Sequence, residues 1–155
     1  MTTIAERLQA CHSSVIHDVM KDLGLPIRVL PRTITGIEPS MKAAGPVFTV
    51  RGRPDPTLDK HSSLFEWAGL LSRAPQGHVV VVQPQDDTRA LFGGLQVLPD
   101  DHVLADRDGI VLIPASHLDE VVSAAERKMS TEGEMVRAIR AGEDPQAAYL
   151  RHRVF

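Results

Sequence analysis

The order of elements along this chain predicts an α/β fold. Three observations carry that expectation. Helical segments with cap signals open and close the sequence, a run of four valines lies in its middle, and an Asp108-Gly109 hairpin phrase follows that run. Together they divide one domain into N-terminal helices over 1–25, an α/β core over 26–114 and C-terminal helices over 115–155. A length of 155 residues suits a single domain.

Thr3-Ile4-Ala5-Glu6 has the form of a capping box, so a short helix is expected to about Ala10. Ser13 or Ser14 caps a second helix, with Val15, Ile16, Val19, Met20 and Leu23 at helical spacing and Gly24 and Pro26 as stops. Thr33, Ile34, Thr35 and Ile37 are β-branched. A Gly45-Pro46 turn then precedes a strand over Val47–Val50. The two prolines of residues 51–56 make that stretch a loop. A helix is expected from Ser62 or Ser63, with Leu64, Phe65, Ala68 and Leu71 on one stripe. Pro75-Gln76-Gly77 turns the chain into a strand over 78–83. Its four valines, Val79 to Val82, predict burial on both faces and a central place in a covered sheet. Residues 97–113 read as strand, turn, strand, hairpin turn and strand. Ser116, three residues before Asp119, is expected to cap a long helix with the stripe Leu118, Val121, Val122, Ala125 and Met129. Gly133, Gly142 and Pro145 punctuate the tail.

Composition excludes several classes. Hydrophobic residues make up 43% and charged residues 24%, too apolar a mixture for a disordered chain. A formal charge of -3 provides no basic footprint for nucleic acid or anionic lipid. No apolar run approaches a membrane span, and the N-terminus shows no signal core. Cys11, the only cysteine, gives no internal disulfide, so a cytoplasmic location is expected.

The seven histidines form no metal pattern, and His12 and His17 stand five apart, off a common helix face. Neither a nucleophile elbow nor a phosphate-binding Gly-x-x-x-x-Gly-Lys occurs. Arg51 and Arg53 flank Gly52 on a loop, a pattern that can bind an anion, with an ordinary solvated loop as the favoured interpretation. The segment from Asp86 to Leu95 has more content, because it directly follows the valine strand. Ligands gather beyond the carboxyl ends of strands in α/β sheets. Gly93 and Gly94 let backbone N–H groups approach a carboxylate, and Asp86 and Asp87 suit a hydrated Mg²⁺. The competing interpretation is an ordinary glycine turn with solvated acids.

Five phrases then combine. They are Val15-Ile16-His17-Asp18-Val19-Met20 with Leu23-Gly24; residues Ala44 to Val50; residues Pro75 to Val82; Ala90-Leu91-Phe92-Gly93-Gly94-Leu95; and residues Leu98 to Pro114. In this order they resemble the regulator-of-ribonuclease-activity-A-like (RraA-like) family, which includes the 4-hydroxy-4-methyl-2-oxoglutarate aldolases. The resemblance implies a swivelling β/β/α-type domain assembling as trimers or hexamers, with sites between subunits. It implies a lyase dependent on Mg²⁺ or Mn²⁺ that cleaves 2-oxo acids, often with oxaloacetate decarboxylation. It also implies members without that chemistry, which bind a ribonuclease.

One departure bears on activity. The family follows its Gly-(Glu/Gly)-Leu phrase with several tens of residues carrying an Arg that grips the substrate carboxylate and an Asp that holds the metal. Here Gly94-Leu95 runs straight into Gln96-Val97-Leu98-Pro99. Arg107-Asp108 invites comparison with that pair, but Ala105-Asp106 before it and Gly109-Ile110 after it align it with the hairpin turn. His78 and Asp100 stand where the family has Asp and Gly. The expected domain is therefore a shortened one. Two functions follow: a 2-oxo-acid lyase with Gly93, Gly94 and Leu95 on the substrate carboxylate and Asp86 and Asp87 at the metal, or a non-catalytic oligomeric or regulatory module. Neither expects nucleic acid or membrane as a partner.

Overall fold

The computed structural model describes residues 2–52, 55–84, 91–92 and 95–153. The Thr3 hydroxyl accepts the Glu6 N–H, and the Glu6 carboxylate accepts the Thr3 N–H at 2.7 Å. The expected capping box therefore starts α1 (Ile4–Ala10). α2 (Ser13–Asp22) begins where predicted, but neither serine caps it. Ser13 instead donates its N–H (2.8 Å) and its hydroxyl (2.5 Å) to the carboxylate of Asp106. A distant acid thus takes the expected role of the local hydroxyl.

The remaining elements are β1 (Ala43–Gly52), α3 (Lys60–Arg73), β2 (Val79–Pro84), β3 (Leu91–Phe92), β4 (Leu95–Gln96), β5 (His102–Ala105), β6 (Ile110–Ile113), a 3₁₀ turn (Ala115–His117), α4 (Leu118–Arg140) and α5 (Pro145–His152). Four strands form one sheet in the order β2-β1-β5-β6, with β1 and β2 parallel and the other pairs antiparallel. β3 and β4 form a separate antiparallel pair. The outer edge of β6 is covered by residues 28–30: the Leu112 N–H donates to the Arg28 carbonyl and the Leu30 N–H to that of Ile110.

Period-two alternation in the hairpin divides the core into two layers. Leu104, Val111 and Ile113 join Leu8, Ile16, Met20, Val121, Val122 and Ala125 under the helices. Val103 and Leu112 face the other way, onto Leu30 and Val47, with Val79, Val81, Leu95 and Val97 packed alongside. Truncating any fully buried Leu or Ile here would cost about 2–5 kcal/mol.

Several expectations are corrected. β1 runs straight through Gly45-Pro46, where a turn was predicted, because it pairs with β2 and β5 on its two sides. A Cβ at Gly45 would lie 2.5 Å from the Gly77 carbonyl oxygen, so this close passage of two backbones requires glycine. α3 is capped by Asp59, whose carboxylate accepts the Ser62 N–H at 2.7 Å, and so starts before Ser62. Its predicted stripe does not reach the core: Leu64, Phe65, Ala68 and Leu71 are exposed (Phe65 at 71%), as is Trp67, and only Leu70 is buried. Among the described residues the valine strand β2 ends the sheet rather than lying at its centre, and Val82 is exposed. Ser116 does not cap α4, because the 3₁₀ turn intervenes, although the stripe from Leu118 to Ala125 is buried as expected. Gly133 lies inside α4 without breaking it; the chain turns only at Gly142, before Asp144 caps α5.

Asp106 also makes folding sensitive to acid. Burial works against its charge, but hydrogen bonds from Ser13, Asp108 and Gly109 hold its carboxyl below the ordinary range. The unfolded chain, with carboxyls near pH 3.9, therefore takes up protons first. The contribution of Asp106 is complete above that value and is lost as pH falls through the lower folded value. Asp106→Asn should lower stability at pH 7 by about 1–2 kcal/mol, the range for losing a helix cap. Denaturant melts at pH 7 and below pH 4 should show the difference between variant and wild type narrowing in acid. A gap independent of pH would refute the assignment.

Candidate functional site

Of the residues predicted for the site, Asp86, Asp87, Gly93 and Gly94 lie outside the described residues. Leu95 lies within them, in β4, where the register Phe92↔Leu95 and Leu91↔Gln96 pairs it with β3. Its side chain is half-buried against Leu30, Val47, Val103 and Leu112. Leu95 therefore anchors the end of the glycine phrase to the core.

Beside it lies an arginine that the sequence did not single out. Arg28 donates to the Gln96 carbonyl and, at 2.7 Å, to the Asp101 carboxylate. Asp101, expected only as part of a turn, is 3% exposed and also accepts the Leu98 N–H at 2.9 Å. A bidentate-capable guanidinium and a desolvated carboxylate thus fix residues 96–101 against the segment that edges β6. Arg28 stands in an apolar stretch, Ile27 to Leu30, and nothing in that local pattern announces a partner 73 residues away.

Arg107 and Asp108 sit in the β5–β6 turn, as their sequence context predicted. Arg107 is 80% exposed along its side chain and lies 3.9 Å from Asp108. The Asp106 N–H donates to the Gly109 carbonyl to close that turn. The turn lies at the Ala43 end of β1, since Ala105 pairs with Ala43, whereas β2 leaves the sheet at the Gly52 end. Nine residues of strand separate these ends, about 30 Å. Within one chain, Arg107 and Asp108 do not approach the point where the valine strand ends.

An open groove of about 1020 Å³ also lies toward the Ala43 end, between the start of α2, residues 27–41 and the β5–β6 turn. Ile27, Val29 and Ile37 give it apolar walls, and Ser14, His17 and Asp108 supply polar groups. Asp106 borders it, but its oxygens are occupied by Ser13 and by the Asp108 N–H. His17 holds Asp18 at 3.1 Å, and Lys128 reaches Asp18 at 3.3 Å. Burial opposes the charge on Asp18, and these partners lower its pKa despite that. Among the described residues, no group of three or more His, Cys, Asp and Glu converges as a set that could hold a metal ion.

No family model matches the sequence. Solved structures similar to it show the fold. An uncharacterized protein from Pseudomonas syringae pv. tomato str. DC3000 aligns with a TM-score of 0.71 at 18% identity, over 96% of this chain and 93% of that one. A crystal structure described as one of novel cellulases from microbes associated with the gut ecosystem aligns at 0.68 and 16%, over 84% and 86%. Streptomyces coelicolor RraAS2, described as an unusual member of the RNase ES inhibitor RraA protein family, aligns at 0.64 and 20%, over 86% and 95%. The fold is RraA-like, an α/β domain with a four-stranded sheet and helices at both ends.

The Arg28–Asp101 pair leads to a stability prediction. Removing one partner of a buried pair leaves an uncompensated charge, a loss of about 3–5 kcal/mol. Arg28→Ala should show that loss in urea melts, whereas adding Asp101→Ala to it should cost much less than the sum of the single changes. Strict additivity would show that the two side chains are not coupled.

Proposed function

We propose that this chain is an oligomeric module that binds small 2-oxo acids on an RraA-like scaffold and turns them over slowly or not at all. The position of β2 is the observation that carries this reading. Among the described residues, the valine strand has no neighbour on its outer side, and the α3 face that carries Leu64, Phe65, Trp67 and Leu71 lies open to solvent. A sheet that ends at such a strand fits a domain lacking the inserted segment with the Arg and Asp of the aldolases. An open edge of this kind needs a cover. Copies of the same chain are the cover proposed here, as a trimer or a multiple of one.

In this reading the backbone of Gly93, Gly94 and Leu95 takes the substrate carboxylate. Asp86 and Asp87, hard oxygen ligands, would hold the Mg²⁺ or Mn²⁺ that the resemblance implies. When bound, such an ion polarises a 2-oxo group. Without the Arg and Asp of the missing segment, both orientation and charge stabilisation fall short, by on the order of a thousandfold in rate. Active lyase chemistry is the second reading, supported by the retained phrase Ala90 to Leu95. The likeness to RraAS2 supports a third, a module that regulates a ribonuclease.

Two measurements separate the first two readings. Oxalate or pyruvate should bind with millimolar affinity, the scale of a few hydrogen bonds, and Gly94→Val should remove that binding. A coupled assay should find little Mg²⁺-dependent pyruvate release from oxaloacetate. Turnover of about 1 per second or faster would establish the lyase instead.

Light scattering of the 16.9 kDa chain at micromolar concentration should return a mass of about 51 kDa or a multiple of it. Phe65→Glu, at an exposed position that costs the monomer little, should lower that mass toward a single chain. A wild-type monomer would overturn the oligomeric part of the proposal.

A further inference from the structure

The passage of β1 between β2 and β5 brings together two histidines that stand 24 residues apart in sequence. His102 pairs directly with Pro46 across the β1–β5 ladder. On the other side Val79 pairs with Val47, so His78, one residue earlier, falls beside Pro46 as well. The close approach of Gly45 to the Gly77 carbonyl holds the two backbones together at this point. Alternation puts both histidines on one face of the sheet, because Val79 and Val103, their neighbours in sequence, both pack into the layer on the opposite face. Two strand spacings, about 10 Å, separate their Cα atoms.

Both rings are fixed in the same way. His78 Nδ1 lies 3.3 Å from the Gln76 carbonyl oxygen, and His102 Nδ1 lies 3.1 Å from that of Asp100. A carbonyl oxygen only accepts, so both contacts suit the tautomer that carries its proton on Nδ1, in which the Nε2 lone pair is available. This is the arrangement that orients histidine ligands in metal sites. Asp100 has the positive φ of +74°, so a locally strained residue presents the carbonyl that holds His102.

We propose that His78 and His102 form a two-histidine site for a late first-row divalent cation of the zinc, nickel or copper class. Imidazole nitrogen suits these ions, and water completes the coordination beyond the two protein ligands. The site differs from an oxygen-ligand Mg²⁺ site in chemistry and residues, and it does not depend on the 2-oxo-acid reading. A bound ion would tie β2 to β5 across β1, clamping the outer strand of the sheet.

The test uses the full, untagged chain. Calorimetric titration with Zn²⁺ should show one ion per chain with micromolar affinity. His78→Gln and His102→Gln should each weaken binding at least tenfold, the double variant no further than the weaker single, and His117→Gln not at all. Circular dichroism melts establish that each variant is folded. With Cu²⁺, the paramagnetic resonance spectrum should show coupling to two nitrogens, reduced to one in either single variant. Wild-type binding no tighter than millimolar, or affinity retained in the double variant, would overturn the site. So would half an ion per chain with a doubled mass, since that would place the ion between copies.

Discussion

The carboxylate of Asp106 joins the two halves of this chain. It lies in the turn of the β5–β6 hairpin, near the end of the core, and accepts two hydrogen bonds from Ser13 at the start of α2. The N-terminal helices contribute Leu8, Ile16 and Met20 to the main core layer, and the hairpin contributes Leu104, Val111 and Ile113. Hydrophobic burial drives those surfaces together, but it is non-directional and does not set how far along the sheet α2 sits. A bond to a helix terminus is directional and sets that position. Lys128 and Arg7 extend the same docking: Lys128 on α4 reaches Asp18 of α2, and Arg7 on α1 donates to Glu126 and Ser123 of α4. These outer pairs are more exposed and contribute less.

The opposite side of the sheet is organised by a different constraint. β6 has its edge covered by residues 28–30, and Arg28 fastens that cover to Asp101. β2 has no such cover among the described residues. An uncovered strand of high β propensity and an exposed apolar helix face are liabilities for an isolated monomer, because both surfaces can recruit other chains. The asymmetry between a sealed edge and an open one is therefore the main structural argument for self-association. Any cation held by His78 and His102 would act on the same weak side, through β1.

Local signals in the sequence were reliable where the physics is local. The Thr3–Glu6 box, the Asp108-Gly109 hairpin, the α2 stripe from Val15 to Met20 and the first half of the α4 stripe each depend on residues a few positions apart, and each forms as expected; Leu23, expected on the α2 stripe, is exposed beyond the helix end. Expectations failed where a distant group decided the outcome. Ser13 has the chemistry of a cap, yet Asp106 competes for its donors. Four valines report that a strand is apolar, but not how many neighbours it has, and among the described residues β2 ends the sheet. The stripe of α3 was read correctly as apolar, but spacing does not specify what covers it. At the site, the pattern around Gly93 and Gly94 was legible as a motif. Arg28–Asp101 and His78–His102 were not, because only the sheet register brings such distant positions together.

The register also bears on the proposed lyase chemistry. A lyase of the proposed type needs a cation to clamp a carboxylate and an acid to hold a metal, both within a few ångströms of the 2-oxo group. Arg107 and Asp108 have the right chemistry, and Arg107 is free of any buried pairing that would restrain it. They project from the Ala43 end of β1, however, and the valine strand leaves the sheet about 30 Å away, at the Gly52 end. Side-chain motion cannot close such a gap, and β5 and β6 are too well buried to slide. Within one chain the two sets of groups act apart. Chemistry that used both would require the Ala43 end of one copy to meet the Gly52 end of another, as in a head-to-tail ring or an antiparallel two-fold pair. The oligomeric arrangement is therefore part of the proposed function, because groups at the two ends of the sheet come together only between copies.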